Sequence, residues 1–244
     1  MNLILLQEND FQDQPRSNND PAKVILLGQR AQHIQQVLKA EVGQQLKVGL
    51  LGGQRGMGTV RSIKPMQCEL DVSLNSPPPP KLPLTLLLTL PRPKVARRII
   101  HAATELGVSE IILLNSYRVE KSYWQSPLVD DAHLHNAMLE GLSQSGDTML
   151  PTLQRQRLFK PFVEDQLPEL LQQRRGLVAH PYASPLVAST PLTTPTLLAI
   201  GPEGGFIPYE FEKLLEAGLQ GFSLGERILK VETALPTLIA KLFY

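Results

Sequence analysis

The spacing of apolar and polar residues predicts different structures for the two ends of the chain. Before residue 76, apolar positions alternate over short runs, as at Leu46, Val48 and Leu50, and glycine-rich turns such as residues 52–56 follow them. Alternation with a period of two predicts half-buried strands, and several short strands predict a small β-barrel. Residues 29–40 instead have apolar residues at helical spacing and predict one short helix.

Beyond residue 81 the pattern changes to alternating strands and helices. Apolar runs predict strands at residues 84–90, 110–114, 153–157, 177–179, 196–200 and 221–224. Helical spacing predicts helices at residues 93–106, 128–143, 162–174, 208–217 and 232–243. Such alternation favours an α/β fold with a mostly parallel sheet that is covered on both faces.

A proline-rich stretch separates the two patterns. Residues 76–81 read SPPPPK, which can continue neither a helix nor a central strand. We therefore expect a β-barrel domain at residues 1–75, a linker at 76–81 and an α/β domain at 82–244.

Composition excludes several classes of protein. The 244 residues include 24 Lys and Arg against 23 Asp and Glu, so the net charge of +1 excludes a globally basic nucleic-acid coat but not a local basic face. A single cysteine, Cys68, excludes an intrachain disulfide and a cysteine-cluster zinc site, and we expect no metal. No apolar run reaches the ~18 residues of a membrane span, and residues 1–6 lack the basic flank of a signal peptide. We expect a cytoplasmic protein.

The sharpest candidate site is a glycine-rich loop. Residues 200–206 read IGPEGGF and lie between a predicted strand and a predicted helix. Ligands bind at the carboxyl ends of parallel strands, and glycine allows a ligand to approach the backbone closely. An ordinary strand-to-helix turn also explains the glycines. No Gly-Lys-Ser/Thr follows, so this is not a Walker phosphate loop, and Glu203 suits a neutral or cationic ligand better than a phosphate.

A second loop enters the last predicted helix. Residues 223–234 read SLGERILKVETA, and Arg227 and Lys230 flank the turn. Glu232 and Thr233 stand where first-turn acids and capping groups belong, which explains both without a function.

Basic residues also follow the first strand of the predicted sheet. They are Arg92, Lys94, Arg97 and Arg98. At helical spacing these side chains lie close enough together to hold phosphates, although a solvated helix face gives the same pattern.

The two loops together resemble the signature of the RsmE ribosomal RNA methyltransferases. Weaker similarities cover much of the chain: TELGV at residues 104–108, QSG at 144–146 with Pro151, and HxxxVLK at 33–39 followed by GxxLxV at 43–48. The resemblance implies a SPOUT methyltransferase domain with a trefoil knot, preceded by a PUA-like β-barrel, in a homodimer. It implies methylation of N3 of a uridine in 16S ribosomal RNA of the small subunit, with S-adenosylmethionine (SAM) as the cofactor.

The resemblance also implies the binding residues. Cofactor contacts fall on Ala179, His180, Ile200, Gly201, Pro202, Glu203, Gly204, Gly205, Leu224, Gly225, Ile228, Leu229, Lys230, Thr233 and Ala234. Candidate RNA contacts are His33, Lys39, Arg55, Arg61, Lys94 and Arg97. The chain departs from the family where Lys39, Asp147 and Lys230 replace the usual arginine. A lysine does not reproduce the bidentate fork of an arginine, and an aspartate that faced RNA would repel its phosphates, so these departures bear on the choice of RNA target.

Chemistry at uracil N3 requires loss of its proton. A cation that stabilises the uracil anion points to Arg92, Arg227 or, more weakly, Lys230, and a general base points to Glu203, Glu232 or His180. The leading catalytic candidates are Arg92, Arg227 and Glu232.

Three other functions remain open. The first is a methyltransferase that acts on another RNA base or on a ribose 2′-hydroxyl. The second is a non-catalytic RNA-binding relative, and the third is a nucleotide-binding enzyme that uses the IGPEGGF loop for phosphate.

Overall fold

The computed structural model describes residues 3–12, 21–184 and 191–244. The chain forms two compact units. Unit 1 comprises Met1–Pro79 and Leu142–Leu150, and unit 2 comprises Pro80–Gly141 and Pro151–Tyr244. The first boundary between the two units along the chain lies within the proline-rich stretch. The segment Leu142–Leu150, however, comes from the part of the sequence that was expected to form the second domain.

Unit 1 is built on a five-stranded sheet. Its strands are β1 (Ile4–Leu6), β2 (Ala22–Leu27), β3 (Gln45–Leu50), β4 (Arg55–Lys64) and β5 (Gln67–Ser76). Their order is β1-β3-β4-β5-β2, with β1 parallel to β3 and the other pairs antiparallel. Leu26, Val48 and Leu70 are fully buried between them. At Gly56 a Cβ would lie 1.8 Å from the carbonyl oxygen of Ser73, so this close approach of β4 and β5 requires glycine.

The helix predicted at residues 29–40 is shorter in the structure. Helix α1 (Gln29–Gln32) continues into a π-helical turn at His33–Val37. Lys39 then takes the left-handed conformation, with φ of 48°, and the Ala40 N–H donates to the Ile34 carbonyl at 3.1 Å. This hydrogen bond between residues six apart ends the helix, so the predicted helix was too long at its carboxyl end.

Unit 2 is built on a six-stranded parallel sheet, which confirms the expected α/β class. Its strands are β6 (Leu82–Thr89), β7 (Val108–Leu114), β8 (Thr152–Gln156), β9 (Arg175–Ala179), β10 (Thr196–Ile200) and β11 (Gln220–Phe222). Its helices are α2 (Pro93–Glu105), α3 (Asp131–Ser145), which runs on into unit 1, α4 (Phe159–Pro161), α5 (Leu167–Leu171), α6 (Pro208–Glu216) and α7 (Val231–Phe243). The predicted helix at 162–174 is interrupted, because a π-helical turn at Phe162–Gln166 joins α4 to α5.

The strand order of unit 2 determines where a ligand can bind. The order is β11-β9-β10-β6-β7-β8, so the chain adds β7 and β8 on one side of β6 and then β9, β10 and β11 on the other. Such a reversal opens a crevice beyond the carboxyl ends of the strands. In the described part of the chain, no helix is long and apolar enough to cross a bilayer.

Asp147, which stands where the family usually has an arginine, is buried and does not face a ligand from the surface. Its side chain is 3% exposed, and Oδ1 accepts hydrogen bonds from the N–H groups of Thr148 at 2.6 Å and Met149 at 3.0 Å. The surrounding segment is built into unit 1: Thr148 Oγ1 donates to the Gly53 carbonyl at 2.5 Å, and Ser143 Oγ donates to the Leu3 carbonyl at 2.6 Å. Asp147 therefore supports a turn.

Candidate functional site

A cavity of about 430 Å³ lies at the carboxyl ends of β9, β10 and β11. Ala179, Ile200 and Phe222 are the last residues of these three strands, and all three line the cavity. Its volume lies in the usual range for small-molecule sites. The loops that follow the strands supply most of the remaining lining: Pro181, Tyr182, Gly201, Pro202, Gly204, Gly205, Leu224, Gly225, Ile228 and Leu229.

The IGPEGGF loop folds tightly on itself beside the cavity. The Gly205 N–H donates to the Pro202 carbonyl at 2.7 Å, and Gly205 has a φ of 71° that favours glycine. A Cβ on Gly201 would lie 3.1 Å from the backbone nitrogen of Phe206. The glycines are therefore needed for the turn itself, and the turn places its backbone against the cavity.

Glu203 connects this loop to helix α2. Its Oε1 accepts a hydrogen bond from the backbone N–H of Arg92 at 3.0 Å, and Arg92 is the N-cap of α2. A carboxylate at this position satisfies one of the free donors at the start of a helix. The contact assigns Glu203 a structural partner, although Glu203 also lines the cavity.

The side chain of Arg92 lies outside the cavity lining and is exposed to solvent. A hydrogen bond to Tyr123 raises the pKa of its guanidinium above the usual value, and the charges of Glu203 and Glu120 contribute further. Arg92 therefore stays charged, but its partner is the tyrosine.

His180 forms part of the cavity wall as a neutral imidazole. Its ring stacks on Phe211 with 4.1 Å between centroids, and its Nδ1 accepts from the Tyr182 N–H at 3.4 Å. Burial lowers the pKa of His180 below its usual value, so the ring is uncharged at pH 7.

Arg227 is the candidate cation that the structure brings to the cavity. It lines the cavity, it is exposed, and within residues 3–12, 21–184 and 191–244 it forms no ion pair. Lys230, the exposed N-cap of α7, lies outside the lining. Glu232 also lies outside it and pairs with Arg98 at 3.0 Å. Thr233 is exposed outside the lining, whereas Ala234 lines the cavity.

The RNA-contact candidates of unit 1 differ in their availability. His33 and Lys39 are exposed. Arg61 pairs with Asp71. Arg55 donates to the Pro77 carbonyl at 3.0 Å and to the Gly146 carbonyl at 2.9 Å. Both arginines therefore already have partners within unit 1.

The two candidates of unit 2 lie on α2. Arg97 pairs with Glu140 at 2.6 Å. Lys94 is exposed and, in the described part of the chain, has no acidic partner. Lys94 is therefore the more available of the two for a phosphate.

Several lining residues escaped the sequence reasoning. They are Arg118, Pro181, Tyr182, Phe222 and Leu238. Most adjoin a predicted loop, and a wider window around each strand end would have found them. Arg118 follows β7, four residues beyond its end, and only the position of β7 in the sheet signals its importance.

Replacing Glu203 separates the structural role from the general-base role. Glu203→Gln keeps an oxygen that can accept from the Arg92 N–H, so we expect methyl transfer within about threefold of wild type. Glu203→Ala removes a charge-assisted hydrogen bond worth about 1.5–3 kcal/mol, and we expect SAM affinity to fall about tenfold or more. Calorimetry and initial rates measure both. A glutamine variant as inactive as the alanine variant would instead assign Glu203 as the base.

An open parallel sheet with a small-molecule cavity at the carboxyl ends of its strands defines a class of α/β proteins that bind cofactors or nucleotides. Comparisons with known proteins narrow that class. The sequence model of the RNA methyltransferase domain matches residues 78–242. The chain belongs to this RNA methyltransferase family.

Individual relatives agree with this assignment. Ribosomal RNA small subunit methyltransferase E of Treponema pallidum is 26% identical over 96% of this chain and 87% of the relative, and that of Synechocystis is 26% identical over 91% and 73%. The resemblance to the RsmE methyltransferases is thereby confirmed.

Solved structures show the same fold. The Neisseria gonorrhoeae ribosomal RNA small subunit methyltransferase E, bound to SAM, superposes with a TM-score of 0.74 at 18% identity and covers 98% of this chain and 95% of that one. A Legionella pneumophila methyltransferase in complex with SAM superposes with a TM-score of 0.73 at 23% identity, and the match covers 98% of this chain and 96% of that one. The expected fold class is confirmed, while the trefoil knot stays a prediction.

Proposed function

We propose that this chain transfers a methyl group from SAM to N3 of a uridine in the 16S RNA of the small ribosomal subunit. One observation carries the proposal: both loops of the RsmE signature, which 16 residues separate in sequence, line the same cavity at the carboxyl ends of β9, β10 and β11. Two solved structures with the same fold contain bound SAM.

The lining residues fit this cofactor. Glycines at 201, 204, 205 and 225 expose backbone donors and acceptors that can hold an adenine and a ribose. Val231, Ala234 and Leu238 supply an apolar wall from α7. His180, being neutral, adds no positive charge near a sulfonium. When bound, SAM supplies an electrophilic methyl group on sulfur.

Arg227 is the group that we assign to the acceptor. Uracil N3 becomes nucleophilic when its proton is released to solvent water, and the resulting negative charge spreads onto the neighbouring carbonyl oxygens. A guanidinium at the cavity stabilises that charge and aligns the ring for in-line attack. The N3–C bond then forms as the C–S bond breaks, and S-adenosylhomocysteine leaves.

The structural partners weaken the general-base candidates. Glu203 accepts from the Arg92 N–H, Glu232 pairs with Arg98, and burial makes His180 a weaker base. Arg92 itself is bonded to Tyr123. We therefore favour stabilisation of the uracil anion by Arg227 over proton removal by a side chain.

The remaining proposals concern partners and architecture. We propose that the chain works as a homodimer on the small subunit, in the cytoplasm, with unit 1 as a PUA-like RNA-binding domain. The alternative of a non-catalytic RNA-binding relative drew support from Asp147 and Lys230, which replace the family's arginines. The burial of Asp147 removes its part of that support.

The first test is calorimetric titration with SAM, with ATP and NAD as controls. We expect saturable binding of SAM and no binding of the controls. Mass spectrometry of nucleosides from small subunits, modified in vitro and isolated from a deletion strain, then identifies the product as 3-methyluridine. Binding without 3-methyluridine would redirect the proposal to another acceptor, and failure to bind SAM at millimolar concentration would end it.

A further inference from the structure

The loop after β7 carries two neighbouring residues, Tyr117 and Arg118, of which Arg118 lines the cavity. The backbone of this loop is fixed by Glu210 of α6, a residue that is only 3% exposed. Glu210 Oε1 accepts from the Tyr117 N–H at 2.7 Å, and Oε2 accepts from the Ile207 N–H at 3.1 Å. Both carboxylate oxygens are thus used to tie this loop to the start of α6. Charge-assisted bonds to a buried group make the anchor rigid.

Arg118 lies over the IGPEGGF loop. One of its guanidinium nitrogens donates to the Gly204 carbonyl, and the side chain lines the cavity. A Cβ on Gly204 would lie 2.8 Å from Arg118 Cδ, so the glycine leaves room for the arginine. Arg118 is exposed and, within the described ranges, has no carboxylate partner. The guanidinium donors that do not bond to Gly204 are therefore available at the cavity mouth, by which we mean the solvent-exposed part of the lining at Arg118.

Tyr117 presents its ring to solvent from this fixed backbone. The residue is 80% exposed and does not line the cavity. The loop is fixed further along as well, since Trp124 Nε1 donates to Asn115 Oδ1 at 2.9 Å and Arg157 lies 5.2 Å from the Trp124 ring centroid. A single exposed ring is common on protein surfaces, and the Tyr117 ring is singled out because its fixed backbone adjoins Arg118, which lines the cavity.

The chemistry of the pair fits an unstacked nucleotide. Aromatic faces stack on exposed bases of single-stranded RNA, and arginine pairs with phosphate oxygens. Methylation at N3, an atom of the Watson–Crick edge, requires an acceptor that is unpaired or flipped. The cavity mouth is where such a nucleotide must enter.

We propose that Tyr117 and Arg118 form the docking site for the acceptor strand, with the Tyr117 ring stacked on a base and the Arg118 guanidinium on a phosphate beside it. The inference rests on the proposed function in one respect only, that the acceptor is RNA. It assigns binding of the acceptor strand to the loop after β7, whereas the SAM contacts come from the loops after β9, β10 and β11.

The test measures RNA binding directly, so it does not depend on methyl transfer. A fluorescently labelled, single-stranded, uridine-containing oligonucleotide is titrated by anisotropy in the presence of S-adenosylhomocysteine. We expect Tyr117→Ala and Arg118→Ala each to weaken RNA binding about tenfold or more, while Tyr117→Phe retains it. SAM affinity should stay within about threefold in all variants.

Two matched controls should leave RNA binding unchanged. Tyr209→Ala removes a partly exposed tyrosine of α6 that lies outside the cavity lining. Arg175→Ala removes an exposed arginine at the amino end of β9, at the edge of the sheet opposite the cavity.

Three results would overturn the inference. Unchanged RNA affinity in Tyr117→Ala and Arg118→Ala would remove the docking site. Loss of SAM binding in Arg118→Ala would make Arg118 part of the cofactor loop instead. A Tyr117→Ala variant that changes oligomeric state in sedimentation would assign the ring to a subunit interface. Wild-type protein that binds both SAM and RNA but forms no 3-methyluridine would contradict the proposed acceptor atom without affecting this site.

Discussion

Replacing Arg227 with alanine is expected to lower kcat by about 10²–10³-fold while leaving SAM affinity within about threefold. Removal of one preorganised donor to a developing oxyanion costs on this order in other enzymes. Arg227 lines the cavity and is committed to no ion pair within the described residues, so the substitution leaves no buried charge unpaired. Single-turnover methyl transfer to small subunits measures the rate, and calorimetry measures SAM affinity.

Two further variants make this experiment specific. Arg92→Ala keeps the backbone N–H that donates to Glu203 and loses the side-chain contact with Tyr123 and the attraction to Glu203 and Glu120, so we expect kcat to fall by less than about tenfold. Arg227→Lys should recover little of the rate, because an ammonium does not reproduce the planar donor fork of a guanidinium. A larger defect in Arg92→Ala than in Arg227→Ala would reverse the assignment of the anion-stabilising residue.

Filling the cavity from α7 should abolish cofactor binding. Ala234 lines the cavity and is partly buried, so the ring of an Ala234→Phe variant would occupy space that the cofactor requires. We expect SAM affinity to fall about 100-fold or more, a loss of about 2.8 kcal/mol, because the ring and the cofactor exclude each other. Calorimetry measures the affinity, and thermal unfolding checks that the fold persists.

The matched control for this variant is Ala240→Phe on the same helix. Ala240 is exposed and lies outside the cavity lining, so its replacement should leave SAM binding unchanged. Normal SAM affinity in Ala234→Phe would mean that the cofactor does not reach the α7 wall.

The sequence predicted those features of the site that depend on local pattern. Glycines next to an apolar strand mark the IGPEGGF loop, and the strand–helix alternation places that loop at a sheet edge. The contact of Arg118 with Gly204 joins positions 86 residues apart, and the tie between Glu210 and the Tyr117 N–H joins positions 93 apart. Periodicity carries no information about such contacts, since they depend on the order of strands in the sheet.

The burial of polar residues was the other feature that the sequence did not predict. Asp147 and Glu210 are charged residues in polar sequence surroundings, which favours the surface, yet each is 3% exposed. Backbone N–H groups from neighbouring turns compensate for their burial. The end of α1 was misjudged for a related reason, because Val37 fits an apolar helix face by spacing but is 66% exposed.

The composition of unit 1 limits how this protein can be divided. A cut at Pro79 would leave behind Leu142–Leu150, and with it the partners of the Leu3 and Gly52 N–H groups, which donate to the carbonyls of Ser143 and Thr148 at 2.8 Å each. A first unit exchanged between relatives at the proline-rich stretch would therefore need to meet a compatible second segment in the recipient chain. The two segments must be inherited together, so recombination at the most obvious boundary in the sequence would be selected against.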